Sequence, residues 1–110
     1  MARVLVGLRR ELQLCYLDHP LCPTGPTANL AVRVLGGVGY GVLAGHAEFW
    51  SDVRATSGMT REAVQEDVAA ALAKLLPDVP GAEIALAFTP GLAWLPPTDV
   101  PAGHPAVTAC

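Results

Sequence analysis

The clearest pattern of apolar and polar positions lies between residues 61 and 76, where apolar side chains recur every three or four residues. This spacing is typical of one face of an α-helix, and Thr60 is a good N-cap immediately before it. Met59 and Val64 occupy the positions of a hydrophobic staple, and Pro77 stops the helix. The pattern predicts a helix from Arg61 to Leu76. Its buried stripe comprises Val64, Val68, Ala71, Leu72, Leu75 and Leu76.

Residues 2–17 fit two periods. Leu5, Leu8, Leu12 and Cys15 recur at helical spacing, while the end of the segment also alternates as a strand would. The good helix formers in this segment and the lack of a turn signal favour a helix over 2–17. The prolines that follow predict a loop over 18–29.

Two segments in the middle of the chain alternate as β-strands do. Residues 30–35 predict one strand and residues 42–54 a longer one, with a glycine-rich hairpin between them. Side chains of a strand alternate between its two faces. The face directed to the core comprises Leu43, Ala47, Phe49 and Val53, and the opposite face comprises His46, Glu48, Trp50, Asp52 and Arg54. This second face is either solvated or an intersubunit surface anchored by Trp50.

The end of the chain contains one more alternating segment and then many prolines. Residues 83–88 predict a strand, which after the preceding helix would make a βαβ-like unit with two parallel strands. Residues 89–110 carry five prolines and predict an extended arm that includes Trp94 and Leu95. The expected fold is therefore α+β. We expect a single domain over 1–110, in which a small mixed sheet of three to four strands and two helices packed on it occupy 1–88.

Composition narrows the range of functions. The chain has 110 residues, with 7 basic and 10 acidic side chains, a net charge of −3 and Lys74 as its only lysine. This balance argues against a basic nucleic-acid-binding surface. No apolar stretch approaches the roughly 20 residues that span a bilayer, and no signal peptide is evident. Three cysteines cannot all pair within one chain, and the lack of an evident paired framework indicates a reduced compartment. So few charges on a small protein point to a subunit of an assembly.

Candidate chemistry is weak, and we predict no catalytic, cofactor-binding or metal-binding residue. Cys15, His19 and Cys22 form one loose cluster without the second ligand pair of a structural zinc site, so Cys15 is expected in the core and the other two in a loop. His46, Glu48 and Asp52 share a strand face, but alternate residues lie about 7 Å apart, too far to ensure a hydrogen-bonded acid–base pair.

The glycines of residues 36–41 resemble a phosphate-binding loop only superficially. That motif requires a helix directly behind the loop, whereas the residues that follow here alternate as a strand does. A glycine-rich hairpin is the favoured interpretation.

Three segments resemble the tail terminator proteins of tailed phages that infect actinobacteria. Residues 30–37, Leu-Ala-Val-Arg-Val-Leu-Gly-Gly, resemble that family's V-R-V-G-G strand. Residues 47–56 followed by Thr60-Arg61-Glu62-Ala63 resemble its strand and T-R-E-A helix, and residues 95–105 resemble its L-P-D…G-x-P segment. The family usually continues into a final strand, which the closing Ala106-Val107-Thr108-Ala109-Cys110 does not supply.

The resemblance implies a structural virion protein that is not an enzyme. Such proteins form a ring, usually a hexamer, that caps the tail tube and joins it to the head connector. The expected partners are copies of the chain, the tail tube protein and the connector, and DNA would pass through the ring without sequence-specific binding. Assembly would take place in the host cytoplasm. The interface candidates are His46, Glu48, Trp50, Asp52, Arg54, Trp94 and Leu95.

Two other functions stay open at this point. The predicted strand–helix–strand section also resembles a small oligomeric enzyme or ligand-binding subunit of ferredoxin-like or tautomerase-like build, although Ala2 stands where tautomerases keep their catalytic proline. The third alternative is a cytosolic accessory protein that folds as a monomer or dimer.

Overall fold

The computed structural model describes residues 1–37, 39, 45–89 and 94–109 of the chain. Its fold class is α+β, as predicted. A two-stranded antiparallel sheet is accompanied by two longer helices, one short helix and a 3-10 turn. The elements are α1 (Ala2–Glu11), β1 (Thr27–Gly36), β2 (Ala47–Arg54), α2 (Arg61–Leu75), the 3-10 turn (Leu76–Asp78) and α3 (Pro105–Thr108).

Helix α2 confirms the strongest prediction from the sequence. The Thr60 hydroxyl accepts a hydrogen bond from the Ala63 amide at 3.2 Å, which satisfies one of the free N–H groups of the first turn. Met59 and Val64, the two staple residues, are both buried. Leu76 is a correction, because it lies in the 3-10 turn before Pro77 and is 45% exposed.

Helix α1 is shorter than the predicted 2–17. It ends at Glu11, and Leu12 already has an extended backbone. The backbone N–H of Cys15 donates instead to the Asp67 carboxylate of α2 at 2.7 Å. A hydrogen bond to an ionised acceptor is stronger than an ordinary helical one, so this contact holds residues 12–15 against α2 rather than in another helical turn.

The two helices approach closely at a glycine. Gly7 of α1 is buried, and a Cβ atom built at this position would lie 2.6 Å from Cδ2 of Leu75. The absent side chain therefore leaves the space that Leu75 fills. Around this contact the core cluster comprises Val4, Leu8, Ala71, Leu72 and Leu75, with Leu12, Leu30, Phe49, Val68, Val79 and Ile84 packed against it.

The β1–β2 pair contains a bulge. Asn29 is paired with Asp52 and Arg33 with Trp50, so three residues of β1 face Ser51 alone. Ala31, in the middle of the bulge, has φ of 58°, a conformation that costs energy for a residue with a side chain. Its N–H donates to the Ser51 hydroxyl at 3.2 Å, which supplies the partner that the ladder does not.

The predicted sheet of three to four strands is not what the described residues form. The sheet has two strands, and residues 83–88 are neither strand nor helix, so the predicted parallel pairing with β2 is absent. β1 begins at Thr27, three residues before the predicted start, and β2 is described from Ala47. Residues 42–44 of the predicted second strand lie outside the described residues.

The C-terminal segment departs from the prediction in one place. Residues 105–108 form α3, whose first turn is capped by Nδ1 of His104, which accepts from the Ala106 amide at 3.2 Å. Residues 94–103 have no helix or strand, as expected of an arm rich in proline. The division into a core over 1–88 and an arm over 89–110 stays a prediction.

We expect the substitution Leu72→Asp to prevent folding. Leu72 is 9% exposed inside a small core, and an ionised carboxylate there would be buried without a partner. The matched control is Ala73→Asp, because Ala73 is the next residue of α2 and is exposed. Circular dichroism and thermal melting should show a cooperative transition for the control and none for Leu72→Asp. A cooperatively melting Leu72→Asp protein would contradict the assigned core.

Candidate assembly interface

The predicted outer face of β2 is present on the described strand. Glu48, Asp52 and Arg54 of β2 are exposed, Trp50 is half-buried, and His46, also exposed, lies immediately before the strand. On the other face, Phe49 and Val53 are half-buried and Phe49 packs against the core. Ala47, predicted on the core face, is exposed, and Leu43 lies outside the described residues. The alternation of the sequence thus divides the strand largely as expected.

Trp50 is held by a residue that the sequence did not single out. The Arg33 guanidinium carbon lies 4.7 Å from the centroid of the Trp50 ring, and the two residues are register partners across the ladder. Such a cation–π contact contributes about 0.5–1 kcal/mol at an exposed site. Arginine in β1 therefore orients the indole on the outer face. Alternation places residues of both strands on one face of a hairpin, but only the register pairs Arg33 with Trp50.

The charged residues of the outer face do not form an acid–base set. Nε of Arg54 lies 3.6 Å from Oδ2 of Asp52, and both side chains are more than half exposed. Exposed pairs of this kind contribute about 0–1 kcal/mol. Among the described residues, no hydrogen bond joins His46, Glu48 and Asp52 to one another. The face carries mixed charge around one aromatic ring.

β1 adds exposed apolar side chains to the hairpin. Val32 is 61% exposed, and Val34 and Leu35 are also exposed. Leu35 is the register partner of Glu48 and so lies on the outer face, whereas Val34 is the partner of Phe49. Both faces of this part of the hairpin therefore present apolar surface. The sequence prediction did not name these residues among the interface candidates.

The second predicted contact region lies in the C-terminal arm. Trp94 is half-buried, and Leu95 is 83% exposed. Farther along, Oδ2 of Asp99 lies 3.4 Å from Nε2 of His19, which ties the arm to the loop before β1. Within the described part of the chain, no hydrogen bond, ion pair or ring contact joins Trp94 or Leu95 to the outer face of β2.

The loose Cys–His cluster is dispersed in the structure. Nδ1 of His19 accepts from the Leu21 amide at 3.2 Å and Nε2 faces Asp99, so both ring nitrogens have partners. Cys15, expected in the core, is exposed beside Asp67, and Cys22 is exposed as the loop prediction implies. The described residues contain no group of three or more His, Cys, Asp and Glu side chains placed to hold a metal ion.

The Asp67 carboxylate affects the Cys15 thiol. A hydrogen bond to this carboxylate and its negative charge are the main causes that raise the pKa of Cys15 above its ordinary value. The thiolate is the reactive form of cysteine, so the thiol is held in its less reactive form.

An open cleft of about 530 Å³ lies where the end of α1, the loop and the start of β1 meet. Tyr16 packs on Gly25, where φ is +67° and an added Cβ would lie 2.6 Å from the ring. Arg9 supplies a cation at the cleft, and the lining is otherwise uncharged. The lining comprises Arg9, Leu12, Leu14, Tyr16, Thr24, Pro26, Ala28, Asn29 and Leu30.

The glycine-rich segment is only partly described. Gly36 ends β1, and Gly37 has φ of +79°, a conformation that favours glycine. Residues 38 and 40–44 lie outside the described residues, and with them the turn of the predicted hairpin. The strand β2 after the segment agrees with a hairpin rather than with a phosphate-binding loop, which needs a helix there.

The chain exposes far more surface than a compact protein of its mass. Its accessible area is 8460 Å² at 11.4 kDa, whereas a folded monomer of this mass exposes about 5,800 Å². Its radius of gyration is 17.6 Å and its extents are 60 × 27 × 20 Å, whereas about 13 Å is typical of a compact chain of this length. The chain is thus elongated, and its hairpin exposes apolar side chains, which in other proteins mark interaction sites when they form large patches.

Comparison with protein-family models, with curated proteins and with solved structures gives no match for this chain. None of the described helices is both long and apolar enough to cross a membrane.

We expect Asp67→Asn to speed alkylation of Cys15 by iodoacetamide near pH 8. Removing the carboxylate charge lowers the Cys15 pKa toward its ordinary value, so more thiolate is present at that pH. The midpoint of the rate against pH should move to lower pH. Mass spectrometry of the Cys15 peptide measures the rate, and Glu66→Gln is the matched control because Glu66 is exposed on the same helix. Equal rates in all three proteins would contradict this assignment.

Proposed function

We propose that the protein is a structural subunit of a phage tail, a tail terminator whose ring caps the tail tube and joins it to the head connector. The observation that carries the proposal is the surface excess of about 2,700 Å² over a compact monomer. A standard interface removes about 800 Å² from each partner, so the excess is sufficient for two neighbours in a ring and a further contact along the tail axis.

The segments that resemble the terminator family lie on defined elements. Residues 30–35 lie in β1, where Arg33 supports the Trp50 ring. The T-R-E-A segment spans the N-cap and first turn of α2, and its Arg61 guanidinium lies 4.2 Å from the centroid of the Phe88 ring. The late segment contains Asp99, the partner of His19. Each segment thus makes a side-chain contact within the described part of the chain.

The composition fits such an assembly. A net charge of −3 disfavours the phosphate contacts that dominate nucleic-acid binding, which suits a channel that DNA crosses without being held. A hexamer is the proposed ring, with the tail tube protein and the connector as partners and the virion as location. The outer face of β2 and the residues Trp94 and Leu95 are the proposed contact surfaces.

The strand–helix–strand section that suggested a small enzyme or ligand-binding subunit is not formed by the described residues. A ferredoxin-like or tautomerase-like subunit requires the strand–helix–strand section from β2 to residue 88. Residues 83–88 are not a strand, and β2 has β1 as its ladder partner. The structural-subunit proposal is therefore the better supported of the two.

The proposal is tested with the purified chain and tail tubes made from the tail tube protein of an actinobacterial phage. Native mass spectrometry should give a ring of about six copies, free or bound to tubes. Negative-stain microscopy should show a cap at one tube end and a stop in tube growth. A chain that stays monomeric and neither binds the tubes nor limits their length would overturn the proposal.

We expect Trp50→Ala to weaken assembly at least tenfold while leaving the fold intact. The indole is half-buried on the outer face, and its stacking on Arg33 contributes only about 0.5–1 kcal/mol to stability. Sedimentation measures the assembly, and the melting curve measures the fold. Trp50→Phe is the matched control, since it keeps an aromatic ring at the same position.

Two outcomes would contradict this role of Trp50. Unfolding of Trp50→Ala would place the side chain in the core. Unchanged assembly of a folded Trp50→Ala protein would place the interface elsewhere.

A further inference from the structure

Residues 83–88 have the sequence of a strand but no strand partner among the described residues. Ile84, Leu86 and Phe88 alternate with Glu83 and two alanines. No backbone hydrogen bond joins residues 83–88 to any other described residue. Backbone N–H and C=O groups in folded proteins are nearly always paired or hydrated, so this segment presents free pairing groups to its surroundings.

Two side chains of the segment nevertheless contact their own subunit. Ile84 packs against the core cluster, and Phe88 lies under the Arg61 guanidinium at the start of α2. Glu83, Ala85 and Ala87 are exposed. The segment is therefore attached to its own subunit by apolar side chains, while its backbone stays available for a ladder.

The hairpin of the same fold has two edges that could receive such a strand. The β1 edge is interrupted by the bulge at Ala31, and bulges are one way in which proteins block edge pairing. β2 is continuous over eight residues, from Ala47 to Arg54, and pairs only with β1 among the described strands. At about 3.3 Å per residue β2 is about 26 Å long, which accommodates the roughly 20 Å of a six-residue strand.

We propose that residues 83–88 of one copy pair with the free edge of β2 in a second copy and so complete a three-stranded sheet between subunits. The partner is another copy because one chain carries both the unpaired donor and the unpaired acceptor. It also exposes the area that such contacts would bury. Leu86, the exposed apolar side chain of the donor, would extend the apolar face that Phe49 and Val53 form on β2.

Contacts of this geometry between successive copies can build a ring. Donor and acceptor are different surfaces, so the contact is heterologous, and each subunit can give one strand and receive one. Repeated heterologous contacts close into rings when the rotation between subunits permits. This inference deepens the proposed terminator function and rests on it for the closed ring, although the strand pairing itself is independent of the tail.

The pairing is tested with a double substitution, Ala85→Pro and Leu86→Pro. Successive N–H groups of a strand point to opposite sides, so two adjacent prolines remove a donor from each side. Neither N–H is bonded within the described subunit, so the fold should persist, which circular dichroism checks. The matched control is Ala85→Val with Leu86→Val, which keeps both donors and the strand preference.

The dissociation constant of the oligomer should rise at least tenfold with the prolines and stay near the wild-type value with the valines. Hydrogen exchange of the wild-type chain is an independent readout. Amides of residues 83–88, and those of the free edge of β2, should become protected as the concentration rises through assembly. This measurement does not depend on whether the proline variant folds.

The possible failures are separable. Rings that cap tail tubes without protection of residues 83–88 would overturn the strand pairing and leave the terminator function standing. A strand-paired oligomer that ignores tail tubes would overturn the terminator function alone. A chain that is monomeric at all concentrations, or proline and valine variants that assemble equally well, would overturn the strand pairing.

Discussion

The close contact between α1 and α2 is the constraint on which the rest of the structure depends. Gly7 brings the two helices together around Leu75, and the buried cluster surrounds this point. Both strands and residues 83–88 each pack one side chain against that cluster: Leu30 from β1, Phe49 from β2 and Ile84 from residues 83–88. A two-stranded hairpin is marginal by itself in water, so the sheet depends on the helices for its stability.

This dependence explains why so much of the hairpin is exposed. A cluster built on two helices covers only the part of the sheet that carries Leu30 and Phe49. Val32, Val34 and Leu35 lie farther along β1 and stay exposed, because no third helix or strand reaches them among the described elements. Because no described strand lies beside them, residues 83–88 contact the rest of the chain through side chains alone. The elongation of the chain and the unpaired backbone of residues 83–88 are thus two results of one small core.

The sequence was sufficient for the parts of the fold that depend on local preferences. The span of α2 and the two faces of β2 follow from the repeat of apolar residues, with a period of 3.6 in a helix and 2.0 in a strand. The cap at Thr60 follows from its residue type. The end of α1 could not be predicted, because an acceptor 52 residues away, Asp67, takes the Cys15 amide. The strand predicted over residues 83–88 was wrong because strand preference is a local property, whereas a strand exists only where a neighbouring strand pairs with it. The Arg33–Trp50 contact needed the register, which the bulge shifts.

The bulge also determines which changes in the length of β1 the hairpin can accommodate. It places three residues of β1 opposite one residue of β2, an excess of two, which is an even number. Asn29 and Arg33 on either side of it therefore lie on the same face, since side chains alternate with a period of two. A single residue inserted or deleted in β1 outside the bulge would reverse the faces of one half of the strand. Within the bulge the same change alters only the number of unpaired residues, because a bulge absorbs an extra residue without changing the pairing on either side.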